Sequence, residues 1–383
     1  MAIPPVAVTW HTNSDGSVTP TWTSEAPFDE YSVSVDGGAP FLTGATTTQT
    51  WPGNVAHTAV VTPSAADATP ATGTFTPTAP SGNNGVYDYL VNATSTPPAS
   101  CVGMSFVHTW KSVEATEGVF DWSLIEADLT RAAALGKRAF LHLLWGYSPP
   151  WVEQQCPTVV VQWTAPFTGA HTTTIPITWT AAYLSRVKTA IAAFGAKYDG
   201  DPRVAHIAMA LCGWQDDFQL PHPWAGWTSS APPPNGCGPD VYTDAKLEAG
   251  CMQLIDAYAA AFVKTQKTMP YNTSGLSPND WTVTNAVAQH AISKKFGIIF
   301  QENGLQASTS ASKVAQLAAL GASPGAGGYG WQQAAGGNSV AAMQAMFAAA
   351  LAGKPKPLFV EVYSNDCANP QAASALAKLA AGL

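Results

Sequence analysis

The segment SLIEADLTRAAALGKRAFLHLL, residues 123–144, decides how most of this chain is read. An Ala-rich helical stretch, Ser123–Leu135, stops at Gly136, and a short apolar run, Ala139–Leu144, follows it. Glycine ends helices because it adopts the left-handed conformation without strain, and a six-residue run with five apolar side chains suits a strand. A helix feeding a strand in this way is half of a βα unit.

Outward from there the same alternation continues. Strands are expected at Val86–Val91, Val102–Val107, Ala139–Leu144, Ala205–Leu211, Tyr271–Gly275, Gly297–Gln301, Gly328–Gln332 and Leu358–Val362. Helices fall between them at Ser123–Leu135, Ala181–Lys197, Asp244–Thr268, Val283–Lys294, Ser310–Leu320, Ser339–Ala352 and Pro370–Leu383, and the first connection, near 92–100, has none. Eight such strands imply an α/β fold, a closed (β/α)8 TIM barrel over residues 85–383. An open parallel sheet is the alternative, disfavoured because no Gly-rich phosphate loop follows an early strand.

Residues 1–75 read differently. Period-two alternation runs through Val6–Trp10, Val18–Trp22, Tyr31–Val35 and Ala59–Val61, with turns at Asp36-Gly37-Gly38 and Pro52-Gly53-Asn54. That pattern predicts a small all-β sandwich. On Trp22, Tyr31 and Val33 it resembles a fibronectin type III or immunoglobulin-like module, with His57 where such modules often carry a corner tyrosine. A Thr-, Pro-, Ser- and Gly-rich stretch, Thr72 to Asn84, leads out of it, with the linker at 76–84.

The 383 residues are 46% hydrophobic and only 11% charged, with a net charge of −8 and no Lys/Arg cluster. Nucleic acid and anionic membranes are therefore poor partners. No stretch of roughly 18 apolar residues is present, so no membrane span is expected. Met1-Ala2-Ile3-Pro4-Pro5 has no basic region followed by an apolar one, so no signal peptide is seen, although the neutral polar surface suits work outside a cell. Six cysteines lack metal-type spacing, so no metal or other cofactor is expected. Cys212 and Cys251 read as small buried hydrophobes; Cys156 and Cys237, in Pro-rich loops, read either as a bridge or as thiols.

Barrel enzymes build sites where strands end, at the C-terminal face. There the sequence sets His108, Trp145, Tyr147, Trp151, Trp214, Gln215, Asp216, Asp217, Trp224, Glu302, Trp331, Gln332, Glu361 and Tyr363. Aromatic faces stack on sugar rings, and carboxylates and amides bind hydroxyls, so the set points to a carbohydrate. Trp145, Tyr147, Trp151, Trp214, Trp224, Trp331, Gln332 and Tyr363 are the candidate contacts, and Asp216, Asp217, Glu302 and Glu361 the candidate catalytic acids. Each has a plain structural rival. Asp216 and Asp217 can cap a helical turn, Glu302 can hold a turn, and the tryptophans can pack loops. Trp110, Trp122, Glu114 and Glu117 read as structural, and His206 as a core histidine.

Trp110-Lys111-Ser112-Val113-Glu114-Ala115-Thr116-Glu117-Gly118-Val119-Phe120-Asp121-Trp122-Ser123, with Ala134–Lys137 and Ser148-Pro149-Pro150-Trp151, resembles the early βα units of clan A glycoside hydrolases, the beta-galactosidase-like members above all. Strand eight, Leu358–Tyr363, is similar to that family's last strand. The resemblance implies a barrel with an acid/base Glu after strand four and a nucleophile Glu at the end of strand seven. This chain departs at both places, with Gly213-Trp214-Gln215-Asp216-Asp217 and Gly330-Trp331-Gln332-Gln333. Either Asp216 or Asp217 is left as the acid, and either Glu302 or Glu361 as its partner. In architecture and composition the whole resembles minor tail proteins of bacteriophages infecting actinobacteria. That implies a virion tail location, a cell-envelope polysaccharide and other tail proteins as partners, and a barrel that binds glycan with little or no hydrolysis. An active extracellular glycoside hydrolase with an accessory module is the alternative.

Overall fold

The structure is a computed structural model; it describes all residues except 1–5, 13–16, 25–29, 44–46, 48, 50, 53–56, 64–69, 76–82, 92–95, 166–168, 214–235 and 274–279.

Among the described residues, seven N-terminal strands come first: β1 Val6–Thr12, β2 Ser17–Ser24, β3 Tyr31–Val35, β4 Phe41–Thr43, β5 Trp51–Pro52, β6 His57–Pro63 and β7 Ala71–Phe75. They form two antiparallel sheets, β1-β2-β5 and β4-β3-β6-β7. In β3 the alternation is literal: Tyr31, Val33 and Val35 are buried and the residues between them are not. With Trp22, Ala59 and Val61 they fill a small core of their own. Lys295, on the barrel, reaches Asp36 of this region at 3.4 Å.

The barrel begins with β8 Gly85–Tyr89 and β9 Cys101–Thr109, followed by α1 Trp110–Val113, α2 Ser123–Ala134 and β10 Arg138–Leu144. Next are α3 Pro150–Gln155, a hairpin β11 Thr158–Ala165 and β12 Gly169–Pro176, α4 Ala181–Tyr198 and β13 Val204–Ala208. The remainder is α5 Asp244–Ala261, β14 Gln266–Pro270, α6 Thr282–Ser293, β15 Ile298–Leu305, α7 Ala311–Gly321, β16 Ala326–Gln333, α8 Val340–Ala352, β17 Phe359–Tyr363, α9 Ser364–Cys367 and α10 Ala373–Gly382. The sheet closes in the order β8-β9-β10-β13-β14-β15-β16-β17, every pairing parallel.

The 123–144 segment shows why. Ile125, Leu129 and Ala132 recur at i, i+4 and i+7 and are fully buried against the strands. After Leu135, Gly136 at φ +65° lets Lys137 N–H return to the Ala132 carbonyl, and the chain turns straight into β10. Inside the barrel lies a dry layer of Tyr87, Phe140, Ile299 and Phe359 with Ala205 and Ala208. Glycine is required at two inward positions. A Cβ at Gly103 would run into the Tyr87 ring, and one at Gly330 into Phe359.

Two expectations are corrected. The fifth barrel strand is Gln266–Pro270, not Tyr271–Gly275, and the helix before it stops at Ala261, not Thr268. Phe262 is buried in the core, and Lys267, inside the expected helix, is a buried strand residue whose ammonium caps the helix by donating to the Phe262 carbonyl. The hairpin β11–β12 was not expected. Val159, Val161, Ile175 and Ile177 bury its base in the barrel's outer core. No disulfide joins the six cysteines, all of which are buried, so a Cys156–Cys237 bridge is absent; Cys212 and Cys251 sit in the core as expected.

Candidate active site at the barrel mouth

One level above the dry layer, toward the C-terminal ends of the strands, the inward positions become polar. Glu361 of β17 is fully buried. Its Oε1 lies 3.0 Å from Nε2 of His142 on β10, and its Oε2 accepts a 2.7 Å hydrogen bond from Nε2 of Gln301 on β15. Gln332 of β16 is the register partner of Glu361. It is 6% exposed, and its Nε2 has no hydrogen-bond partner among the described residues. Half-buried Tyr89 and Tyr363 stand edge to face at 5.2 Å, and the Tyr89 ring lies 5.6 Å from His142. Below, Phe140 stacks on the His142 ring at 4.7 Å and fixes its plane.

Alternation along the strands sorts the remaining candidates. Because Gln301 points inward, its neighbour Glu302 points outward. Glu302 pairs with Lys313 of α7 at 2.5 Å and accepts from Gly304 N–H at 2.9 Å, so it braces the β15–α7 corner and does not meet Glu361. Trp145 is fully buried in the outer core; its indole N–H donates to the Tyr258 hydroxyl at 2.8 Å. Trp145 and Trp151 both pack edge-on against Trp110, at 5.6 and 5.8 Å. Trp151 donates to the Glu114 carbonyl, and Trp110 to the Glu114 carboxylate. Trp331 is likewise fully buried outside the barrel, its Nε1 unpartnered among the described residues. Tyr147 is half-buried, and its carbonyl holds Lys111 N–H. His108 leaves the barrel altogether and pairs with Asp128 of α2 at 3.1 Å. Asp216, Asp217, Trp214 and Trp224 lie outside the described residues. Of the named set, the structure brings Glu361, Gln332 and Tyr363 together.

Asp366, just beyond β17, has a separate task. It accepts from Gln333 Nε2 at 2.6 Å, from Gly337 and Asn338 N–H at 2.9 and 3.0 Å, and from Asn338 Nδ2 at 2.9 Å. Gln333 is thereby a rim fastener and not a ligand contact. Asp88, on the outer face of β8, has its carboxyl pushed up to about 6 by burial, against the hydrogen bond from Ser364.

The residues that sequence reasoning passed over are His142 and Tyr89. His142 interrupts the apolar run of β10 at an inward position near the strand end, and that interruption is its only signal.

Chemically, the mouth offers a carboxylate locked in one orientation by two neutral-amide or imidazole donors, with an unoccupied amide donor beside it. No carboxylate is among the described partners of Glu361. Among the described residues no group of His, Cys, Asp and Glu can hold a metal ion. No family model matches the chain, and no curated protein matches it.

Proposed function

We propose that the barrel mouth binds a neutral glycan of a cell envelope, on a frame like that of glycoside hydrolases but with at most weak hydrolysis, in a protein of a virion tail. The observation that carries the reading is Glu361, held by His142 and Gln301 beside the unpartnered Gln332 amide and under the Tyr89–Tyr363 pair. A sugar hydroxyl can donate to a lone pair of Glu361 while another oxygen of the same sugar accepts from Gln332, and a tyrosine face covers the apolar side of the ring. Glycosidic hydrolysis needs two carboxyl groups, roughly 5–5.5 Å apart for retention or roughly 6.5–9.5 Å for inversion. With Glu302 turned to Lys313, a partner for Glu361 has to come from Asp216 or Asp217.

The virion setting is supported by composition, 11% charged residues and a chain rich in Gly and Pro, and by the β domain ahead of the barrel. Antibody to the barrel is expected to label particle tails in electron microscopy; label confined to cells contradicts it. For binding, calorimetry against purified envelope polysaccharides is the test. Q332A is expected to weaken binding about threefold to tenfold, the net value of one neutral hydrogen bond, and added salt to change it little. Unchanged affinity in Q332A and in Tyr363→Ala removes the mouth as the binding place. The second reading, an active hydrolase, is favoured by the same fixed geometry of Glu361. Turnover lost in both D216N and E361Q, or D217N and E361Q, with folding intact, would establish it.

A further inference from the structure

Cys101 opens β9 and Cys367 closes α9, 266 positions apart, yet their sulfurs lie 3.8 Å from each other in the core. Both side chains are buried, 0% and 4% exposed. The place matters. β8 is the first barrel strand and β17 the last, and the sheet closes where β8 fits between β17 and β9. Cys101 starts the strand on one side of β8, and Cys367 follows directly on the strand at its other side. The two sulfurs thus meet across the outer face of the closing strand.

We propose that Cys101 and Cys367 are a disulfide site, a covalent clasp over the seam of the barrel, formed when the chain folds under oxidising conditions. The sulfurs need to approach from contact to a bond of about 2 Å. In the step, both thiols lose their protons and one S–S bond forms. The two electrons pass to a small-molecule disulfide such as oxidised glutathione, which leaves as two reduced thiols. In the folded protein the contact with Cys101, together with burial, holds the Cys367 thiol protonated, well above the usual cysteine range. Since the thiolate is the attacking species, the bond, once formed and covered, resists exchange.

The full chain is unfolded in reductant, refolded in a glutathione redox buffer, alkylated with iodoacetamide in denaturant, and mapped as non-reduced peptides. The expected result is one cross-link, Cys101 to Cys367, with the other four cysteines alkylated, and a Tm higher than that of the reduced twin by on the order of 10 °C. In C367S the cross-link and the Tm difference disappear. Six alkylated cysteines overturn the proposal. So does a cross-link between another pair, Cys212 with Cys251 being the nearest competitor, or a redox-dependent Tm that survives in C367S. Should C367S fail to fold, the peptide map and the two Tm values of the unaltered chain decide alone.

Discussion

His206 and His142 lie on neighbouring strands of one barrel, β13 and β10, both inward and both against Phe140, with ring centroids 5.1 and 4.7 Å away. Their surroundings differ by one level. His206 sits in the dry layer with Tyr87 and Phe359, and its Nε2 donates to the Asn83 carbonyl at 3.1 Å. Burial lowers its pKa to about 4, so it stays neutral and serves as packing. His142 meets a carboxylate instead, one level nearer the mouth. The same side chain is filler in one layer and the partner of a buried carboxylate in the next. What separates them is whether the neighbour can hold charge.

The comparison breaks most visibly if the layer between them is removed. Phe140→Ala is expected to cost about 3–5 kcal/mol of stability, read from denaturant midpoints, because it undermines both histidines at once. A loss under 1 kcal/mol would show that the dry layer is not what supports the site.

Acid sharpens it next. Between about 6.5 and 4 the unfolded chain protonates His206 while the folded chain does not, so stability falls as pH falls through that window, by about 3 kcal/mol in all. Asp88 acts the other way. Its raised value means that the folded chain takes up a proton first, between about 6 and its ordinary range, and gains stability as pH falls there. D88N is therefore expected to steepen acid unfolding, and His206→Phe to flatten it. Identical pH profiles for all three proteins would contradict both assignments.

At the mouth, E361Q keeps the shape and removes the charge. Glycan affinity is expected to drop roughly tenfold to a hundredfold, the value of hydrogen bonds to a charged acceptor, with stability changed far less than in Phe140→Ala. The smallest effect belongs to Glu302. Its partner Lys313 is one-third exposed, so Glu302→Gln is expected to cost about 1 kcal/mol of stability and to leave binding unchanged. A matching loss of binding would place Glu302 back in the site.

The barrel was legible because helix periodicity, Gly136 and the apolar run of β10 agree locally, and seven of the eight strands lie near their expected positions. The fifth was displaced because Lys267 breaks no helical rule; only tertiary burial turns it into a strand residue. The hairpin was overlooked although Thr158–Val161 and Thr172–Ile175 are β-branched, since its loop was read by its prolines. At the candidate site, composition pointed to the C-terminal face of the barrel but could not say which way a strand-end residue points. One residue of register separates Gln301 in the mouth from Glu302 on the wall, and a strand-end tryptophan stands equally well for a sugar platform or for wall packing. Trp145 and Trp331 proved to be wall.

The four hydrogen bonds that converge on Asp366 set the mechanics of the rim. They tie the turn between β16 and α8 to α9, so the mouth beside Gln332 and Tyr363 is a fixed lip, with no slack for a flap on that side. A glycan bound as proposed would meet a pinned edge on that side, and any breathing that admits or releases it would have to be supplied by other sectors of the circumference.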